Sequence, residues 1–441
     1  MMEKQQIQEK VRAAGIVGAG GAGFPTHVKM NAQAEIYLVN GAECEPLLMV
    51  DQQLADKYAQ LMIRGLELSM MATGAREGII ALKAKYTAAI DALTPLLHSN
   101  MRIHILKDVY PAGDEVITIW MATGRRVPPA ALPLDVGVVV NNVQTLINVA
   151  KAVDQGESVT HRTLTVTGAV KNPITITVPI GITMREAVAL AGGPSIGNPA
   201  YIDGGPMMGK LITDLEDPIT KTTGGILVFP DDHILIKRHQ EPLPTSFKIA
   251  KSACEQCRLC TEFCPRHLIG HELPPHAIVY ALGNNDWQKP SVLLSALTCS
   301  ECAVCEAWSC PEGISPMKLN RALKAKFRPE GAKYVGPLND ADPMIEGRLL
   351  PTKRLKMRLN ILKYDVKAPL DETPYQPQQV RIKLSQHIGA PAKPVVNTGE
   401  RVSVGQLIGQ IPENAMGATV HASINGIVEA ISEREVTIRA V

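Results

Sequence analysis

Nine cysteines carry most of the chemistry open to this chain, and eight of them fall between Cys254 and Cys310. The first run is Cys254, Cys257, Cys260 and Cys264, followed by Pro265. The second is Cys299, Cys302, Cys305 and Cys310, followed by Pro311. Three cysteines at x2 spacing wrap a short loop around one face of an iron–sulfur cubane, and a fourth reaches it from outside. In two-cluster ferredoxins the fourth cysteine of each run ligates the other cluster. The expectation is therefore two [4Fe–4S] clusters. One takes Cys254, Cys257, Cys260 and Cys310; the other takes Cys299, Cys302, Cys305 and Cys264. Structural zinc would need separated CxxC pairs rather than triple runs. Clustering in a large chain also favours metal over disulfides. The second run departs from the first by one extra residue before Cys310. Between the runs, ELPPHAIVYALG and KPSVLLSALT read as helices, so a helical ferredoxin module is expected. Two adjacent clusters imply conduction of electrons.

A second candidate site lies near the N-terminus. Gly18, Gly20 and Gly23 satisfy GxGxxG formally, with Gly21 between them, and Phe24 and Lys29 follow. A dinucleotide fingerprint must follow a strand and open a helix. Here MEKQQIQEKVRAAG reads as a preceding helix and the strand IYLVN comes afterwards, so the ordinary Rossmann reading fails. A glycine-rich loop still brings backbone N–H groups up to an anion. Lys29 would add a charge for a phosphate or a flavin edge.

The elements that must position this loop are legible. Ile36–Val39 is a strand ending in Asn40, Gly41, Ala42, Glu43, Cys44, Glu45 and Pro46. Val136–Val140 is another, running into Asn141, Asn142 and Thr145 at a helix start. Strands near Glu77–Leu82 and Arg102–Leu106 and helices near Gln52–Met71 and Thr87–His98 lie between. Ligands in open α/β sheets sit beyond the C-terminal ends of the strands. The reading is a layered α/β domain with a polar site at one rim.

Four segments in order, Gly18–Lys29, Asn40–Pro46, Tyr110–Glu115 and Asn141–Thr145, resemble the FMN-binding segments of the complex I flavin subunit. They are more similar still to the RnfC-type subunits of Rnf electron-transport complexes and to the cobalamin reductases of propanediol-utilising microcompartments. The resemblance implies FMN, its phosphate near the glycine loop and Asn142 and Thr145. Lys29, Asn40, Glu43 and Tyr110 would surround the isoalloxazine. Glu45 and Glu115 would sit where NADH stacks on the ring, beside Phe24. Gly113, Asp114 and Glu115 would complete the wall, with Asp114-Glu115 in place of the complex I carboxylate pair. Cys44 would be a small filler near the ring rather than a redox group.

Further along, Arg162–Gly168, Ile174–Pro179 and Thr183–Ala191 read as strand, strand and helix. Ala200–Gly205, Ile226–Phe229 and Ile234–Lys237 would complete a small sheet. This resembles the β-grasp (SLBB-like) domain of the same families and is expected to be a spacer. The tail from Val380 reads as short alternating strands with tight turns and resembles a barrel-sandwich hybrid. Its hairpin tip is Asn425-Gly426, without the lysine a lipoyl or biotin carrier needs. The fold class expected is thus α/β multidomain: an FMN and NADH domain over 1–157, a β-grasp domain over 158–242, a two-cluster module over 243–330, a proline-rich linker over 331–378 and an all-β domain over 379–441.

Composition sets outer bounds. With 441 residues, 45% apolar and 20% charged, the chain is an ordinary globular mix of about three or more domains. No apolar run reaches the roughly 18 residues of a membrane span, and MMEKQQIQEKV is no signal peptide. A formal charge of +2 argues against nucleic acid as the main partner.

The resemblance implies an NADH-dependent oxidoreductase with no catalytic side chain, since the cofactors carry the chemistry. Electrons would pass from NADH through FMN and both clusters to cobalamin, supporting adenosylcobalamin for a B12-dependent diol dehydratase. The nearest approach to a DxHxxG cobalt-ligand motif is Asp231-Asp232-His233-Ile234-Leu235-Ile236, with isoleucine where glycine is needed. Cobalamin is thus expected as a visiting substrate. A cobalamin adenosyltransferase and a microcompartment shell protein are the partners expected, and the cytoplasm, inside a microcompartment, is the expected location. Two alternatives share the motifs: an Rnf-type subunit working between NADH and ferredoxin, and a non-catalytic cluster-bearing scaffold.

Overall fold

The structure is a computed structural model and describes residues 3–286, 288 and 290–441. Its N-terminal part is built on four parallel strands: β1 (Ile36–Gly41), β2 (Glu77–Lys83), β3 (Met101–Leu106) and, after the short β4 (Val109–Tyr110), β5 (Val138–Asn142). The order is β3-β2-β1-β5. Strands covered on both faces read as continuous apolar runs, and β1, IYLVNG, is buried along nearly its whole length. Tyr37, Val39, Ile80 and Val139 face one apolar layer with the helices Val50–Lys57, Ala59–Thr73, Thr87–Leu93 and Val143–Ala150. Leu38, Ile79, Ala81, Val138 and Val140 face the other, where the helix Glu115–Thr123 packs. Gly65 lets two helices touch, because a Cβ there would lie 2.0 Å from the Leu146 carbonyl oxygen.

A second sheet follows, from β6 (His161–Gly168), β7 (Ile174–Pro179), β8 (Pro199–Asp203), β9 (Lys210–Ile212) and β10 (Gly225–Pro230). Thr183 and Glu186 form a capping box that starts its helix Met184–Leu190. Residues 234–237, expected as a strand, open instead a helix, Ile234–Gln240. His233 caps it, its Nδ1 accepting from the Leu235 amide at 3.3 Å, and stacks on Phe229 with centroids 4.7 Å apart. The same contacts occupy the histidine of the imperfect cobalt-ligand motif.

The cysteine-bearing segment is helical. Leu243–Ala253, Pro275–Gly283, Pro290–Leu294 and Pro316–Phe327 enclose Leu273, Ile278, Leu282, Leu293, Leu319 and Leu323. Pro275 and Pro316 occupy first turns, where a missing N–H costs nothing.

The stretch expected as a linker is in fact woven into the fold. Within it, β11 (Leu350–Pro351) pairs antiparallel with β4, and β12 (Leu370–Asp371) pairs parallel with β7. The second sheet is thereby six-stranded, in the order β12-β7-β6-β10-β8-β9. Leu350, Leu355, Leu359 and Ile361 are buried in one apolar cluster with Tyr110, Phe229 and Met317.

The C-terminal part consists of two small antiparallel sheets. One pairs Gln379–Lys383 with Glu435–Ala440, then Gly426–Ile431 and Arg401–Val402; the other joins Lys393–Pro394, Leu407–Gln410 and Val420–His421. Its core is continuous with that of the second sheet, through Ile382, Val420 and Ile438 on one side and Leu164, Ile176 and Val228 on the other.

Candidate flavin and iron–sulfur site

The glycine loop sits at the C-terminal rim of the parallel sheet. The Gly18 amide donates to the Phe24 carbonyl at 2.9 Å, closing the loop. The Ala19 amide donates to Thr145 Oγ1 at 3.0 Å, and a Cβ on Gly20 would lie 2.8 Å from Asn142 Nδ2. Gly21 faces open space. Asn142 caps the helix Val143–Ala150 by accepting from the Gln144 amide at 2.9 Å. The loop therefore lies against a helix start, where a phosphate is favoured. Thr26 Oγ1 and Gln144 Oε1 are buried in these same segments without a partner. A cradle with no room for a side chain at Gly20, beside unpaired polar atoms, fits the phosphate end of FMN.

The remaining expected residues extend from this loop. Lys29 Nζ donates to the Val140 carbonyl at 2.8 Å and pairs with Glu115 at 3.2 Å. Asn40 Nδ2 donates to the Gly113 carbonyl at 2.9 Å, and a Cβ on Gly113 would meet Cys44 Cβ at 2.7 Å. Small residues thus hold two rim segments together. Burial pushes the Cys44 thiol up to about 12, which leaves it protonated and inert. Glu43 accepts from the Asp51 and Gln52 amides at 3.0 and 3.3 Å, at the start of the helix Val50–Lys57. Asp51 in turn accepts from Asn142 Nδ2 at 2.7 Å. Burial, with repulsion from Asp51, holds Glu43 above the usual carboxylate range.

Three expected residues do something else. Asn141 turns inward to the Tyr37 hydroxyl in the core. Glu45, expected beside the nicotinamide, accepts from the Met207 and Met208 amides at 2.9 and 3.1 Å and so clasps the second sheet. Burial raises it to about 7. Asp114 caps the helix Glu115–Thr123 and forms a buried pair with Arg266 at 2.9 Å. Glu115 and Phe24 are both half-buried.

Tyr110 joins the two candidate sites. It is fully buried, and its hydroxyl donates to the Cys302 carbonyl at 2.8 Å. Cys264, Cys299, Cys302 and Cys305 line one cavity beyond it. Cys254, Cys257, Cys260 and Cys310 line a second. The fourth cysteine of each run thus stands with the first three of the other. Both loops wind alike. Gln256 and Arg258 in the first, and Glu301 and Ala303 in the second, occupy equivalent positions with φ between 55° and 65°. Non-glycine residues held left-handed at matching positions mark a functional constraint. The Glu301 amide lies 3.4 Å from Cys299 Sγ, and Gln256 Nε2 lies 3.1 Å from Cys254 Sγ.

Among the described residues no three cysteine, histidine or acidic side chains converge on one metal ion. The thiols are instead spread around cavities, as a cubane requires. Burial, and then the neighbouring sulfurs, push Cys260 up to about 12, and burial does the same to Cys264. Bare thiols here stay neutral, and a cationic iron core is what would make them thiolates. The donor set fits [4Fe–4S] clusters.

Several residues of the site carried no sequence signal. Arg162 is buried and donates to the Ala19 carbonyl at 2.9 Å. Lys221 Nζ donates to the carbonyls of Gly15 and Thr419 at 2.7 and 2.8 Å. The Ile388 amide donates to the Gly23 carbonyl at 3.2 Å. All three clamp the ends of the glycine loop from more than a hundred residues away.

Comparison with known families follows the same division. The Nuo51 FMN-binding domain matches residues 11–151, and the SLBB domain matches 163–211. A 4Fe-4S dicluster domain matches 253–315, and the RnfC barrel sandwich hybrid domain matches 364–440. The chain is 39% identical over 277 residues to the RnfC-type component of the Na(+)-translocating ferredoxin:NAD(+) oxidoreductase complex of Acetobacterium woodii, covering 60% of this chain and 59% of that one. It is 58% identical over 437 residues to the cobalamin reductase PduS of Salmonella typhimurium, covering 99% of this chain and 97% of that one. Identity to PduS of Citrobacter freundii is also 58%, over 438 residues. With an FMN domain, a dicluster segment and a terminal barrel in one chain, and that identity from end to end, the protein belongs to the PduS cobalamin reductase family.

Proposed function

We propose that the protein is an NADH-dependent oxidoreductase that reduces cobalamin towards its cob(I) state. One observation carries the reading: of two adjoining thiol quartets, one is joined to the rim of the parallel sheet by the Tyr110–Cys302 hydrogen bond, in a chain alike over its whole length to cobalamin reductases. Bound FMN accepts a hydride and releases electrons singly, and [4Fe–4S] clusters carry single electrons. The chain's own residues bind, orient and exclude water. The glycine loop, Asn142 and Thr145 would hold the phosphate. Lys29, Asn40 and Glu43 would line the ring, and Phe24 and Glu115 the nicotinamide face. The eight cysteines between 254 and 310 would ligate the clusters in the two quartets described. No side chain needs to act as acid or base.

Making cob(I)alamin from NADH is uphill under standard conditions, so the product must be removed. Transfer of an adenosyl group to cobalt does this, which makes an adenosyltransferase the expected partner. A location inside a propanediol-utilising microcompartment, beside a shell protein, follows from the same reading.

The test is anaerobic. Holoprotein receives NADH, cob(II)alamin, ATP and an adenosyltransferase, and adenosylcobalamin is measured against a control lacking the holoprotein. Product that needs both the protein and NADH is expected. Bleaching of flavin and clusters by NADH with no product would reject cobalamin as the acceptor.

A further inference from the structure

We propose that electrons leave the protein at the quartet of Cys254, Cys257, Cys260 and Cys310, and that the corrinoid docks on the exposed rim of Arg258, Leu259 and Tyr280 around it. This rests on the cobalamin-reductase reading above and adds where the substrate binds.

The two quartets are not equivalent. Cys264, Cys302 and Cys305 are buried, and Tyr110 ties their cavity to the flavin wall. Cys257 is the one exposed cysteine of the nine. One quartet therefore faces the flavin and the other faces solvent. An acceptor that only visits must come within contact of the second.

The rim there has a definite chemistry. Leu259, between the cavity-lining Arg258 and Cys260, is 39% exposed, and Tyr280, one turn along the helix Pro275–Gly283 from the cavity-lining His276, is 49% exposed. Arg258 is exposed and only loosely paired, 3.9 Å from Glu262. Exposed Glu255 and Glu312 border the same cavity. An acidic carrier protein docks on a basic collar, because complementary potentials steer encounter. This collar holds two acids against one base. A corrin is a broad macrocycle fringed with uncharged amides, and an apolar and aromatic rim with little net charge suits it. The basic strip of Lys353, Arg354 and Arg358 lies elsewhere, on the helix Thr352–Arg358 that packs near residues 305–309.

At the rim one electron passes to Co(II), giving Co(I). No bond to the protein forms or breaks, and no proton moves there. NADH gives up two electrons as a hydride, so each NADH reduces two cobalts and leaves NAD+ and one proton.

The test uses reconstituted holoprotein without oxygen: wild type, Leu259→Glu, Tyr280→Glu and the double variant Lys353→Glu/Arg354→Glu. Three readouts are taken: NADH-driven bleaching with EPR spectra of both clusters, cob(II)alamin reduction trapped by ATP and adenosyltransferase, and hydroxocobalamin binding to oxidised protein by equilibrium dialysis. Leu259→Glu and Tyr280→Glu are expected to lower kcat/KM for cobalamin by about tenfold or more and to weaken binding in step. Bleaching and EPR spectra should match wild type. If both rim variants bind and reduce cobalamin as wild type does, the docking site is wrong while the cobalamin reading stands. Loss confined to the Lys353/Arg354 variant, and steepened by salt, also overturns the docking site, in favour of an acidic carrier. If wild type itself reduces no cobalamin while NADH bleaches both clusters, the cobalamin reading falls and this proposal with it.

Discussion

Tyr110 and Asp114 stand in one short segment, and each reaches across to the cysteine-bearing lobe. The sequence leads to the expectation that this segment forms part of a flavin wall. Its second role is not legible there, because Cys302 and Arg266 lie more than 150 residues further on. Removing the phenol hydroxyl leaves the buried Cys302 carbonyl unsatisfied, so Tyr110→Phe should cost about 1–3 kcal/mol in stability, read by denaturant unfolding. Asp114→Ala leaves Arg266 buried and unpaired, which should cost roughly 3–5 kcal/mol. Asp114→Asn retains an N-cap and should fall between wild type and Asp114→Ala in the same assay. The cysteine spacing, by contrast, encoded its chemistry locally. Three ligands of a cubane come from one turn of chain, so the grouping of Cys254, Cys257 and Cys260 could be read directly. The company of Cys310 followed only from the habit of two-cluster modules.

Strands and helices were legible where one apolar pattern governed them. The strand IYLVN lies where it was expected; the strand expected over Val136–Val140 begins only at Val138, after a turn at Gly137, and the helix expected over Gln52–Met71 is two helices broken at Tyr58. Ile234–Lys237 misled because a run of isoleucine and leucine reads as a strand. The deciding group is His233, whose ring caps a helix with Lys237 and Arg238 in its last turn, where positive charge favours a helix C-terminus. Residues 331–378 misled for the opposite reason. Their prolines and charges suggested a linker, but Leu350 and Leu355 are anchors whose partner strands lie in other parts of the chain. The helix pair at Gly65 gives a test in which two effects compete. Alanine favours a helix over glycine by about 1 kcal/mol. A Cβ 2.0 Å from the Leu146 carbonyl oxygen must push two backbones apart, and overpacking costs about 1–3 kcal/mol or more. The clash wins, so Gly65→Ala should lower the unfolding midpoint.

At the scale of the whole molecule, three parts of the chain meet at the glycine loop. Gly15 and Gly23 belong to the first, Lys221 to the second and Thr419 and Ile388 to the last. A Cβ on Gly23, whose φ is +74°, would lie 3.0 Å from the Gln386 carbonyl oxygen. Gly23→Ala should therefore loosen the clamp and lower the FMN retained through gel filtration. Lys221 is buried against carbonyls, and burial lowers it to about 7 from 10.5. The folded state thus binds fewer protons than the unfolded state between these values, and stability rises with pH across that window. Wild type should gain stability from pH 7 to pH 9 relative to Lys221→Met, measured by denaturant midpoints. A flat difference would show that the ammonium is not buried in this way.

That clamp has a consequence for the order in which the protein is made. The ribosome delivers the glycine loop before the cysteine runs. Leu350 then pairs with Tyr110, and Gln386 to Ile388 arrive afterwards. The glycine loop, made before the cysteine runs, is thus finished after them, and chains arrested between Leu350 and Gln386 should take up iron but hold flavin poorly.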